Sequence, residues 1–189
     1  MKICIFGDSI AWGAFDLDRG GWADRLKTST LSPDSLVRVY NCAISGLRTS
    51  HLLESIAEEL SARSPDIVLV AIGINDTQVM DGSNVVAIGD SVQNLRKILG
   101  VAKEHCARVV YLTPTRVDES RTDPVPWKAS SWLNAEIDRY QQSYTALADE
   151  LGVDVIDLSG VIDPKATVDG LHPGPKGHEL IYKKVRAYF

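Results

Sequence analysis

The chain has 189 residues, 44% hydrophobic and 24% charged, proportions that fit one globular domain spanning 1–189. Its 25 acidic and 20 basic residues leave a net charge of −5, which argues against a polyanion-binding surface and so against nucleic acid as a partner. No apolar run approaches the roughly 20 residues that cross a bilayer, and the short apolar start before Gly7 lacks the length of a signal-peptide core. A cytoplasmic protein without integral membrane association is expected, although a mature exported form would read the same. Cys4, Cys42 and Cys106 are odd in number and lack metal-type spacing, so reduced core thiols are expected.

Strand-length apolar runs fall at 3–6, 36–41, 67–72, 109–112 and 153–156. Longer stretches with helical spacing separate them, which predicts βαβ units and a mostly parallel sheet. A first helix is expected near 22–30 and shorter amphipathic ones at 51–62 and 177–188. Val85, Ile88, Val92, Leu95, Leu99 and Ala102 advance by three and four, as do Leu133, Ile137, Tyr140, Tyr144, Leu147 and Leu151; each set forms one apolar stripe. Five strands covered on both faces give a three-layer α/β/α sandwich. Residues 113–131 have no period and contain Pro114, Pro124 and Pro126, so a long surface loop bordering the ligand cleft is expected.

In a parallel sheet the strand C-termini share one edge, and ligands bind in the crevice outside it. Four polar, glycine-containing turns should meet there: Gly7-Asp8-Ser9, Asn41 to Gly46, Gly73-Ile74-Asn75-Asp76 and Asp169-Gly170-Leu171-His172. Together they supply a hydroxyl, backbone N–H groups, a carboxamide, a carboxylate and an imidazole, which is the inventory of acyl transfer. A serine hydroxyl needs a base to take its proton, and histidine suits that task near neutrality. Asp169 precedes His172 by three residues, so one turn brings a carboxylate to the ring nitrogen facing away from the serine.

These blocks, in this order and covering nearly the whole chain, resemble those of the SGNH hydrolases, the GDSL-type esterases and lipases. Isoleucine at position 10 stands where the older family name has leucine. The resemblance implies a flavodoxin-like strand order of 2-1-3-4-5. It also implies Ser9 as nucleophile, His172 as base and then acid, and Asp169 as its orienting partner. The N–H groups of Ser9 and Gly46 and the amide of Asn75 would form the oxyanion hole. Neutral, preorganised donors of this kind stabilise the charge that grows on a carbonyl oxygen, and glycine at position 46 lets a backbone N–H come close.

The expected function is a serine esterase that hydrolyses carboxylic esters, with short acyl chains such as acetyl or aryl esters, through an acyl-enzyme on Ser9. No metal or organic cofactor is expected, and the partner is a small-molecule ester. Trp12 and Arg48 follow the catalytic turns, and Arg116 and Trp127 lie in the long loop, so these four are candidates for the substrate site. Asp8 and Asp76 read as structural, Asp76 as a helix cap. His51, His105 and His178 read as surface residues, and Cys42 as a small buried hydrophobe.

Other readings compete. A lysophospholipase, thioesterase or acyltransferase would use the same intermediate. An α/β-hydrolase fits poorly, because the serine follows the first strand and acid and base share one turn. A metal-dependent phosphoesterase could recruit Asp8, Asn75, Asp76, Asp169 and His172, but the paired-histidine spacing is lacking. A carbohydrate- or acyl-binding module would not need all four blocks intact. Neither a Walker loop nor a dinucleotide fingerprint is present.

Overall fold

The computed structural model describes residues 1–31 and 36–189. In chain order the elements are β1 (Lys2–Gly7), a single turn α1 (Ser9–Trp12), α2 (Gly21–Thr30), β2 (Arg38–Asn41), α3 (Thr49–Arg63) and β3 (Ile67–Ala71). A small hairpin of β4 (Val79–Met80) and β5 (Ser83–Asn84) follows, then α4 (Ile88–His105), β6 (Arg108–Leu112), the turn α5 (Glu119–Thr122), α6 (Asn134–Glu150), β7 (Asp154–Ile156) and α7 (Pro175–Arg186).

The principal sheet is five-stranded and parallel, in the order β2-β1-β3-β6-β7. Counting principal strands alone, that is 2-1-3-4-5, as the resemblance implies. The chain steps from β1 outward to β2 and then back across to β3, so the order reverses beside β1. A crevice therefore opens at the C-terminal ends of β1 and β3.

Side chains alternate across the strands, and the two faces bury different sets. Ile3, Ile5, Leu69, Val110 and Leu112 face one way, against Trp22 and Leu26 of α2 and Ile181 and Val185 of α7. Cys4, Phe6, Val68, Val70, Val109 and Tyr111 face the other, against Leu52, Ile56 and Leu60 of α3, Leu95, Ile98 and Leu99 of α4, and Tyr140 and Tyr144 of α6. Burial on both faces explains why β1, β3 and β6 read as unbroken apolar runs. Each fully buried aliphatic side chain contributes about 1.5–3 kcal/mol.

Several sequence expectations are corrected. Leu36 is 86% exposed, so β2 begins at Arg38. Val85 precedes α4, and Ile98 completes that helix's buried stripe. His178 is fully buried, not on the surface. It lies on the same α7 face as Ile181 and Val185, and its Nε2 donates to the Ala14 carbonyl at 2.9 Å. Cys4 and Cys106 are buried free thiols, whereas Cys42 is only half-buried. Residues 113–131 are not simply a surface loop: they contain α5, and Thr113, Thr115, Val117, Thr122, Val125 and Ser130 are all buried.

Candidate active site

Asp8, directly after β1, caps α1: its Oδ1 accepts the Ile10 N–H at 3.0 Å. Ser9 is therefore the first residue of a helical turn, where no earlier carbonyl is in place to accept its N–H. Burial pushes the Asp8 carboxyl up to about 7, against the lowering influence of the Ile10 N–H and the nearby His172.

Ser9 Oγ and His172 Nε2 are 2.8 Å apart although 163 residues separate them in sequence. On the other side of the ring, His172 Nδ1 is 2.7 Å from Asp169 Oδ2. The second oxygen of Asp169 accepts the N–H groups of Leu171 at 3.0 Å and His172 at 2.8 Å. The carboxylate is thus fastened to the turn that carries the imidazole. Burial works to raise the Asp169 carboxyl, but the hydrogen bonds from His172 outweigh it and hold the group below its ordinary range. A carboxylate facing Nδ1 fixes the proton there and leaves Nε2 free to accept from the serine.

Two further loops reach the same edge. Gly46 has φ +78°, a left-handed conformation that glycine adopts freely. A Cβ there would meet nothing within 4 Å, so the backbone angle, and not close approach, explains the glycine. Among the described residues the Gly46 N–H has no acceptor. Gly73, with φ +127°, needs both angle and space, since a Cβ would lie 2.6 Å from the Tyr144 ring. It lets the turn dive under the sheet edge and present Asn75, only 7% exposed, whose Nδ2 donates to the Leu47 carbonyl at 3.0 Å. One amide hydrogen is thereby fixed and the other remains available. Trp132 steadies this turn by donating Nε1–H to the Ile74 carbonyl at 3.1 Å.

Asp76, fully buried, ties the loops together. It accepts the Thr49 N–H at 3.0 Å, the Thr49 hydroxyl at 2.5 Å and the Ser91 hydroxyl. Burial raises its carboxyl, and the hydroxyls of Ser91 and Thr49 offset part of that effect. Asp76 does cap a helix, α3, but from a distant loop. That role and the Ser91–Tyr144 hydroxyl pair beneath it were not visible in the sequence.

The four substrate-site candidates are scattered. Trp127, 53% exposed, lines a cavity with Pro124, Pro126, Arg121 and Asp169, so the 113–131 segment does flank the turn that carries Asp169 and His172. The Asp118 N–H also donates to the Gly170 carbonyl at 2.8 Å. Trp12 lines a separate cavity with Tyr40, Cys42 and Arg63. Arg48 is the residue before α3 and is partly buried. Arg116 pairs with Asp138 in an open groove beside α6 and β7, which contains neither Ser9 nor His172. Among the described residues no group of three or more His, Cys, Asp or Glu is placed to hold a metal ion, and no helix is long and apolar enough to cross a membrane.

The model of the GDSL-like Lipase/Acylhydrolase family matches residues 5–180. An isoamyl acetate-hydrolyzing esterase 1 homolog of Homo sapiens is 27% identical over 201 residues, covering 96% of this chain and 78% of the relative. An arylesterase of Vibrio mimicus is 28% identical over 184 residues, covering 95% and 84%. Among solved structures, the acetylxylan esterase Axe2 of Geobacillus stearothermophilus superposes with a TM-score of 0.78 at 21% identity, covering 98% of this chain and 92% of the other.

Proposed function

Because the chain belongs to the GDSL-like lipase/acylhydrolase family, we propose that it is a serine esterase that cleaves short-chain carboxylic esters through an acyl-enzyme on Ser9. The observation that carries this reading is the continuous relay from the Ser9 hydroxyl through His172 to Asp169, with contacts of 2.8 and 2.7 Å.

The steps follow from the placement of the groups. His172 Nε2 takes the proton of Ser9 Oγ as that oxygen attacks the ester carbonyl. Asp169, held ionised, keeps the Nδ1 proton in place and stabilises the imidazolium. The carbonyl oxygen, now negative, is met by the N–H groups of Ser9 and Gly46 and by the free amide hydrogen of Asn75. The tetrahedral intermediate collapses as His172 gives its proton to the leaving alcohol. Water, deprotonated by the same imidazole, then attacks the acyl-serine, and collapse of this second intermediate releases the carboxylic acid as the imidazolium returns its proton to Ser9 Oγ. His172 carries every proton moved in these steps, so the sequence calls for no cofactor.

The preference for short acyl chains is supported by the relative named for hydrolysing isoamyl acetate, an ester of a two-carbon acid. The test is hydrolysis of p-nitrophenyl acetate, butyrate and decanoate by the wild-type protein and Ser9→Ala. The expected result is turnover that falls with chain length and is lost in the variant. A folded Ser9→Ala protein with full activity would remove Ser9 from the reaction.

A further inference from the structure

Resting on the esterase reading, we propose that the ring of Phe15 is one wall of a binding subsite for the alcohol portion of the ester, and that the subsite takes an apolar, alkyl or aryl, alcohol. His172 Nε2 must hand its proton to the leaving oxygen, so whatever that oxygen carries is held beside the imidazole. Phe15 is the aromatic side chain found there, its ring centroid 5.4 Å from that of His172 at an interplanar angle of 47°. The residue is nevertheless 47% exposed. About half of its apolar surface is therefore presented to solvent next to the base.

The backbone shows that this position is imposed. Phe15 has φ +63°, a left-handed conformation that is a genuine outlier for a bulky residue. Such strain persists only where the surroundings over-determine it. Here both chain neighbours are fastened. The Ala14 carbonyl accepts from buried His178 on α7 at 2.9 Å. The Asp16 carboxylate, 3% exposed, accepts from the Gly21 N–H at 3.1 Å and from Arg25 Nε and Nη2 at 3.1 and 2.7 Å. Arg25 in turn donates to Glu179 on α7 at 2.8 Å. A buried ion pair and a buried histidine thus hold an outward-facing phenyl ring against the imidazole.

The neighbouring groups favour an apolar occupant over a polyol. Val168, whose N–H donates to the His172 carbonyl at 2.8 Å, is 43% exposed. Arg121, the cation beside Asp169, spends two of its donors on the carbonyls of Thr167 and Val168. A site built to take a sugar hydroxyl would present polar partners for it.

The experiment compares methyl, ethyl, butyl and 3-methylbutyl acetates with a mono-acetylated methyl xyloside, in the wild type, Phe15→Gly and Phe15→Tyr. The simple alcohols have nearly equal acidity, so leaving-group reactivity is held level. Phe15→Gly suits the left-handed backbone and is expected to fold; circular dichroism checks this. Wild-type kcat/KM should rise from methyl to 3-methylbutyl acetate and exceed that for the acetylated sugar. Phe15→Gly should lose about tenfold on the larger alkyl esters, mainly through KM, while methyl acetate changes less than about twofold, and Phe15→Tyr should keep the wild-type order. An equal loss on every ester, no loss on any, or a wild-type preference for the acetylated sugar would overturn the subsite while leaving the esterase intact. A wild-type protein inert towards every ester would overturn both.

Discussion

Asp76 and Thr49 are joined twice: the carboxylate accepts the Thr49 backbone N–H at 3.0 Å and the Thr49 hydroxyl at 2.5 Å. Thr49 opens α3 three residues after Gly46, and Asp76 follows Asn75 directly. A single carboxylate therefore sets the spacing between two of the proposed oxyanion donors, and the Asn75 amide on the Leu47 carbonyl closes the same join from the other side.

Asp76→Ala should strand the buried N–H and the hydroxyl proton of Thr49, while the Ser91 hydroxyl keeps its partner in Tyr144. Unsatisfied buried groups cost about 1–3 kcal/mol each, so a loss of roughly 2–6 kcal/mol is expected. In a chain of this size that lowers Tm by about 4–24 °C. Turnover should fall with little change in KM, because the donors act on the transition state. Thermal melts and steady-state kinetics check both; an unchanged Tm would mean that the two loops are held by other contacts.

Asn75→Ala removes one neutral donor and leaves the relay of Ser9, His172 and Asp169 untouched. Turnover should drop by about 10²–10³ with near-constant KM. An unchanged rate would take the amide out of the oxyanion hole and leave it as a strut for the Leu47 carbonyl.

Asp8 carries a pH dependence of definite sign. Its folded carboxyl is pushed up to about 7, above the ordinary value of 3.8, by burial. The folded state therefore holds the proton more tightly than the unfolded chain. The resulting stabilisation is fully present below about pH 4 and is lost as pH rises through about 7. Asp8→Asn keeps an oxygen for the Ile10 N–H but does not titrate. Relative to the wild type it should gain roughly 1–3 kcal/mol between pH 5 and pH 8, read from denaturant melts at the two pH values. A stability difference that does not vary with pH would contradict the raised carboxyl.

How much of this was legible in the sequence depends on how strongly each element is buried. β1, β3 and β6 are covered on both faces, so their apolar runs stand out. The four turns at the sheet edge could be read because each joins a glycine to residues with a specific chemical use. The hairpin of β4 and β5 has strands too short to show a period; its Asp81-Gly82 corner, both residues at positive φ, was the available signal. His178 could have been placed inside, since it precedes Ile181 and Val185 by three and seven residues on the buried stripe of α7. The Asp16–Arg25 pair gave no such sign, because two charged residues read as surface until a partner is seen to bury them. Phe15 was missed for a related reason: its importance lies in a backbone angle and a ring contact, neither of which a sequence displays. Arg116 is a candidate only through its place in the long loop, and the fold pairs it with Asp138 instead.

The central claim is that His172 activates Ser9. Intact-protein and peptide mass spectrometry after treatment with a fluorophosphonate ester tests it most directly, because the reagent phosphonylates only a serine whose proton is being taken. The account predicts one adduct per chain, on the peptide containing Ser9, absent from Ser9→Ala and strongly slowed in His172→Ala. A folded wild-type protein that remains unlabelled, or a Ser9→Ala protein that labels as fast as the wild type, would contradict it.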